Sequence, residues 1–344
     1  MVIIVKIERY GWECVENKFL KLPNVQKYEL VKRTKDGFIA SVEMDDGYEF
    51  LINAYVVNQL FPSTVMQVIE KQSKEQGIGI IVSSYVSERT ASICEQNGVG
   101  YFDYAGNCWF AGHSIYLSEK GNKNPRPKEY KAATIFERSS VVSSLILREL
   151  FADVTRVWKL KYLAEKVDCS IGQVSKVMNF LLENAWAEIT KNGYMLREPE
   201  ALLHEWSSIY GKKGPSAYSC YSLDNVSVLE NKLKLLKKDM GIESYLTGFS
   251  GGVRYAPVIR YNKVHVYLAP EDIQEAISYL EMKEVSSGSN VVIFPLENES
   301  YIKDSREIEE SLVVSPVQIY LDCMQLKGRG EEMAEAVLMK EIIK

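Results

Sequence analysis

The sequence predicts a multidomain α/β protein, with a small helical segment set between two α/β parts. Three observations carry that reading. The chain has 344 residues, too many for one ordinary core, and 46% of them are hydrophobic, enough to fill more than one. Strand and helix patterns alternate through residues 1–117 and again through 199–344, whereas 136–198 reads as three short helices and a hairpin. Charge follows the same division: the net charge is −3 over 1–117, +4 over 118–198 and −6 over 199–344. The middle is therefore where a polyanion would be sought first.

In the first part, FIASVEM (38–44) alternates apolar and polar residues and predicts a strand. DDG (45–47) is a turn and YEFLINAYV a second strand, so 38–57 is expected to be a hairpin. Pro62 opens a helix, STVMQVIEKQSKEQG, with Val65, Val68 and Ile69 on one face and Gly77 as its stop. IGIIVSSYV is an apolar, β-branched run of the kind found in buried strands. SERTASICEQNG (87–98) predicts a short helix capped by Ser87 and ended by Gly98, and VGYFDY and NCWFAG follow as strands.

This order resembles the restriction-endonuclease-like fold. Such nucleases need a carboxylate on one strand and carboxylate–x–Lys on the next, to hold a metal and orient water. IIVSS has neither acid nor Lys, Glu49 is followed by Phe and Leu, and Asp103 stands alone. Asp before Gly-Asn suits a turn, because its side chain bonds the backbone ahead and Gly or Asn tolerates positive φ. Asp103, Gly106 and Asn107 are therefore expected to form a structural turn, no catalytic residue is assigned, and the domain is expected to be inactive.

Residues 118–135, SEKGNKNPRPKEYKAATI, carry two Pro and five Lys/Arg and predict a linker. In 136–198, SSVVSSLILRELFAD (139–153), WKLKYLAEKVD (158–168) and CSIGQVSKVMNFLLENA (169–185) predict three helices. The third carries a stripe of Val174, Val177, Met178, Leu181 and Leu182, with Ser170 as its N-cap. WAEITKNGYMLRE (186–198) predicts a hairpin. Three helices and a hairpin in this order make a winged helix-turn-helix. In that fold the third helix enters the major groove of DNA. Its residues off the apolar stripe are Ser170, Gln173, Lys176 and Asn179. Gln and Asn can pair with adenine, Lys favours guanine or phosphate, and Ser170 at the helix start suits a phosphate. Lys191, Asn192 and Tyr194 at the wing are placed for the DNA backbone or minor groove.

In 199–344, EPEALLHEWSSIYG, VLENKLKLLKKDMG (228–241) and PEDIQEAISYLEM predict helices and NVVIFPLEN a strand. SYLTGFSGGVRYAPVI (244–259) reads as small residues around a turn, VIRYNKVHVYLAP (258–270) as a hairpin, and the end of the chain as two helices broken at 328–330. TGFSGG before a strand is similar to the start of a nucleotidyltransferase site, but KVHVYLA carries no carboxylate to hold metal. A nucleotidyltransferase-like outline without catalytic carboxylates and a plain α/β domain stay equally open.

Six Cys (14, 94, 108, 169, 220, 323) show no CxxC spacing and three His (113, 204, 265) lie far apart, so neither a metal site nor a cofactor is expected. No run of about 18 apolar residues exists and no signal peptide is read, so a reduced, cytoplasmic setting without a membrane is expected.

Four stretches together resemble the AbiEi-type family: YFDYAGN (101–107), LAEKVDCSIGQVSKVMNFL (163–181), LTGFSGGVRYAP (246–257) and SPVQIYLDCMQLKGRGEEMAEAVL (315–338). The resemblance implies a transcriptional regulator that is the antitoxin of a type IV toxin–antitoxin system. Such a protein binds double-stranded operator DNA, represses its own operon and counteracts a nucleotidyltransferase toxin without a stable complex. A homodimer would suit a palindromic operator. Two other readings stay open at this point: a nucleic-acid-processing enzyme using the first domain, and a module whose winged helix binds protein rather than DNA.

Overall fold

The structure, a computed structural model, describes residues 2–72, 76–123, 135–210 and 217–343, with side chains from Gly11 onward. The described residues form twelve α-helices and sixteen strands, in two seven-stranded sheets and one two-stranded sheet. They fall into two compact units, 1–129 with 183–185, and 130–182 with 186–344.

The first unit holds helices α1 (Val2–Phe19), α2 (Pro62–Gln72) and α3 (Glu88–Gln96). Its strands are β1 (Val25–Thr34), β2 (Gly37–Met44), β3 (Glu49–Val57), β4 (Ile78–Ser83), β5 (Gly100–Asp103), β6 (Cys108–Gly112) and β7 (Ile115–Glu119), paired in chain order. β3, β4 and β5 run parallel, with α2 and α3 as crossovers, and the other pairs are antiparallel. Alternation sorts the side chains. Ile80, Val82 and Phe102 join Val15 and Phe19 of α1 on one face. Ile81 and Tyr101 join Val65, Val68, Ala91 and Cys94 of α2 and α3 on the other.

Two of these elements were not read from sequence. β1 is an edge strand with a mostly exposed, highly charged face, so it lacks the alternation that signals a strand. α1 is likewise a helix that none of the patterns above predicts. The expected linker also begins earlier than the structure allows, since Ser118 and Glu119 pair within β7. Ile135, at its far end, is buried, as is Phe136 just beyond it, and residues 124–134 lie outside the described ones.

The second unit begins with α4 (Val141–Ala152), α5 (Leu160–Val167), α6 (Ile171–Glu183) and the hairpin β8 (Ala187–Thr190) with β9 (Gly193–Leu196). Next come α7 (Pro199–Tyr210), β10 (Tyr218–Tyr221), α8 (Val226–Met240), β11 (Tyr245–Leu246), α9 (Gly248–Tyr255), β12 (Val264–Leu268) and α10 (Ile273–Tyr279). The chain ends with β13 (Lys283–Glu284), β14 (Val291–Pro295), β15 (Arg306–Ile308), β16 (Ser311–Val313), α11 (Pro316–Cys323) and α12 (Gly330–Val337). The sheet order is β13-β10-β14-β12-β11-β16-β15.

Two sequence expectations are corrected here. The hairpin over 258–270 does not form. Only β12 is a strand, and it pairs in parallel with β14 and antiparallel with β11. Its five residues are all buried, as befits a central strand held by distant partners rather than by a local turn. The glycine-rich stretch at 248–255 is not a turn but helix α9. A Cβ on Gly251 would lie 2.5 Å from Ile319 Cδ1, and one on Gly252 would lie 2.6 Å from Met333 Sδ. These glycines let α9 lie directly on α11 and α12, a packing role that overrides their low helix propensity. With Thr247 and Ser250 also buried, the stretch offers no open phosphate loop.

Candidate nucleic-acid interface

α4, α5 and α6 fold around Ile146, Leu147, Leu150, Leu163, Val174, Val177, Met178 and Leu181, all buried. The predicted stripe of α6 is thus the face that packs, with Leu182 half-buried beside it. The turn from α5 to α6 takes three residues. Asp168 adopts φ 54°, and the Cys169 N–H donates to the Ala164 carbonyl at 3.0 Å. Burial and the charge of Asp168 push the Cys169 thiol up, which keeps it from acting as a thiolate.

α6 starts on a reciprocal cap. Ser170 Oγ accepts from the Gln173 N–H at 3.2 Å, and Gln173 Oε1 accepts from the Ser170 N–H at 3.0 Å. This is the Ser-x-x-Gln capping box, which satisfies two otherwise orphaned donors. Ser170, Gln173, Lys176 and Asn179 are all exposed. The carbonyl end of Gln173 turns back to the helix start, leaving its amide NH2 to donate outward. Ile171, exposed beside them, was not singled out from sequence.

The hairpin pairs Thr190 with Gly193, so Lys191 and Asn192 form its exposed tip, and Tyr194 is half-buried. Thr190 Oγ1 donates to the Gly193 carbonyl at 3.0 Å and accepts from the Asn192 N–H at 3.2 Å. A third chain segment braces the hairpin. The Trp158 N–H donates to the Tyr194 carbonyl at 2.7 Å, and the Tyr194 N–H donates to the Trp158 carbonyl at 2.9 Å. Sequence reasoning placed Trp158 at the start of the second helix, yet α5 begins at Leu160 and Trp158 is an extended, buried bridge. The signal was there in principle, because an aromatic residue ahead of the amphipathic run fits a strand better than a helix start.

The segment also carries unpaired cations. The helices and hairpin of 136–198 carry nine Lys/Arg. Among the described residues, Arg156, Lys159, Lys166, Lys176, Lys191 and Arg197 make no ion pair, while Lys161 meets Glu165 at 3.9 Å. Arg138 instead places its guanidinium carbon over Tyr210, 3.9 Å from the ring centroid.

Arg148 is buried and ties α4 to the rest of the unit. Its Nε donates to Ser144 Oγ at 3.2 Å, and its Nη2 donates to Gln318 Oε1. Gln318 Nε2 donates in turn to Asp322 Oδ1 at 2.8 Å and to Tyr210 OH at 2.9 Å. Asp322 also accepts from Thr247 Oγ1 at 2.6 Å and from Tyr267 OH at 2.9 Å. Burial pushes the Asp322 carboxyl up, and the Arg138 charge and these donors oppose that shift.

In the first unit Asp103 is buried and its carboxylate is fully engaged. Oδ1 accepts from the Asn107 N–H at 2.8 Å, and Oδ2 accepts from Asn107 Nδ2 at 2.8 Å and from the Val86 N–H at 3.0 Å. Gly106, with φ 97°, donates to the Asp103 carbonyl at 3.0 Å. Among the described residues no three His, Cys, Asp or Glu side chains gather in a way that could hold a metal ion. None of the helices described is long and apolar enough to cross a membrane.

No curated protein matches the chain. Residues 195–343 match the family described as transcriptional regulator, AbiEi antitoxin, of a type IV toxin–antitoxin system. The match runs from the end of β9 through α12, and it contains two of the four stretches that carry the resemblance, 246–257 and 315–338. The similarity to the AbiEi antitoxin family thus extends over somewhat less than half of the chain.

Proposed function

We propose that the protein is a DNA-binding transcriptional regulator of the antitoxin type, which reads its own operator with a winged helix. The observation that carries this is the exposed side of α6. It is a capped helix bearing Ser170, Gln173, Lys176 and Asn179, followed by a braced hairpin with Lys191 and Asn192 at its tip. Side chains of this kind suit base edges on the helix and phosphates on the wing. The family match supports regulation, and an antitoxin of this type would oppose a nucleotidyltransferase toxin without a lasting complex. An enzymatic reading lacks comparable support, because the Asp103 carboxylate is spent on three donors, two from Asn107 in its own turn and one from the Val86 N–H between β4 and α3.

The test is fluorescence anisotropy of the full chain on duplex DNA from just upstream of its gene, with a scrambled duplex as control, across salt. Sequence-dependent binding is expected, and Lys191→Ala should lower the slope of log affinity against log salt by about one unit. Equal binding to both duplexes would remove the operator from the reading. No binding to either would shift it to a protein-binding winged helix.

A further inference from the structure

We propose that Arg156 is a pre-set clamp for one phosphodiester of the bound duplex, at the root of the wing. The inference rests on the DNA-binding reading and adds to it a contact outside α6 and the hairpin. Arg156 lies between α4 and α5, two residues ahead of the bridging Trp158. Its guanidinium carbon sits 4.5 Å from the ring centroid of Trp158 and 4.5 Å from that of Tyr162.

Both rings are held. Trp158 is 1% exposed and hydrogen-bonded through its backbone to Tyr194, and Tyr162 sits in the first turn of α5. The Arg156 residue itself is exposed and makes no ion pair among the described residues. The acid nearest in sequence, Asp153, spends Oδ1 on the Thr155 N–H at 3.1 Å and the Thr155 hydroxyl at 2.8 Å.

Stacking engages the faces of a guanidinium but not its edge, where the N–H groups lie. A free Arg on a surface loses rotamer freedom when it grips a ligand, and one already stacked has lost much of it. A planar, forked set of donors with fixed direction matches an anion with two free oxygens on one centre, which a phosphodiester presents. The same Trp158 backbone braces the strand that begins at Gly193, next to Lys191 and Asn192. A duplex lying along the hairpin would therefore meet one cation at its tip and one at its root.

The competing role is a cover over Trp158. Arg156→Met keeps an apolar stem over the ring and removes the charge, and Tyr162→Leu keeps the charge and removes one wall. Full-length variants would be titrated on a labelled duplex of scrambled sequence from 50 to 200 mM salt, where each phosphate contact contributes a slope of about 0.9. Arg156→Met is expected to lower the slope by about that amount, to bind roughly 3–10-fold more weakly at the lowest salt, and to melt at the wild-type temperature. Tyr162→Leu is expected to keep the wild-type slope with reduced affinity. A wild-type slope and affinity in Arg156→Met, whatever its melting temperature, would leave Arg156 as a cover and overturn the clamp. A wild-type protein that binds no duplex at all would overturn the DNA-binding reading, and the clamp with it.

Discussion

At the scale of single residues, Gln173 is committed at one end before any ligand arrives. Its carbonyl completes the α6 cap with Ser170, so only its amide protons are free to read a base. Gln173→Ala should therefore do two things: relax base preference at one position, and cost about 1 kcal/mol of stability through the lost cap. Gln173→Glu separates them. Glutamate closes the same box, so thermal stability should stay near wild type while DNA affinity falls through the added negative charge. Wild-type stability in Gln173→Ala would show that the cap does not matter. His265 gives a second prediction. Burial in the sheet, with the Lys263 charge nearby, pulls its pKa down to about 4, and its Nδ1 has no hydrogen-bond partner. The unfolded chain therefore takes up the proton first. The stability contributed by the neutral imidazole is complete above pH 6.5 and lost as pH falls towards about 4, up to roughly 3 kcal/mol. His265→Phe, set between Phe249 and Phe294, should flatten that acid limb. Urea midpoints at pH 4.5 and 7.5 would show it, and an unchanged difference between them would refute it.

At the scale of elements, the hairpin depends on one glycine. Gly193 has φ 146°, and a Cβ there would lie 2.4 Å from the Trp158 carbonyl oxygen, the acceptor of the bridge. Gly193→Ala should push Trp158 away from β9 and cost about 1–3 kcal/mol. The expected readout is a red-shifted tryptophan emission and a lower melting temperature, and unchanged emission would mean the bridge survives. Legibility in the sequence followed pattern strength. The stripe of α6, the hairpin tip at Lys191-Asn192 and the turn at Asp103 could be read because each combines a period or a turn signal with one face that must be buried. β1 could not, because an exposed edge imposes no alternation. α9 could not, because its glycines answer to Ile319 and Met333, more than sixty residues away in the chain. Arg156 was silent for a related reason: an isolated Arg carries no meaning until two rings are seen beneath it.

At the scale of the whole molecule, the second unit buries one uninterrupted core from Ile135 to Ile342, although sequence divides it at residue 198. Trp206 of α7 sits where the two element sets meet. It stacks on Phe136 and Phe151, with Arg148 over its ring at 5.5 Å. Trp206→Ala should therefore cost about 3–5 kcal/mol and lower the hydrogen-exchange protection of α6 and of the β12–β14 pair together. Loss of protection in only one of them would show two independent cores. The Arg148–Gln318–Asp322 chain carries a further consequence, for inheritance. Recombination that trades the α4–β9 segment of one chain for another, cut at the natural-looking seam near residue 198, would take Arg148 and leave Gln318 behind. The offspring would hold a buried guanidinium that keeps Ser144 but has lost Gln318, so the segments on either side of residue 198 must travel as a matched pair or be re-fitted after the exchange.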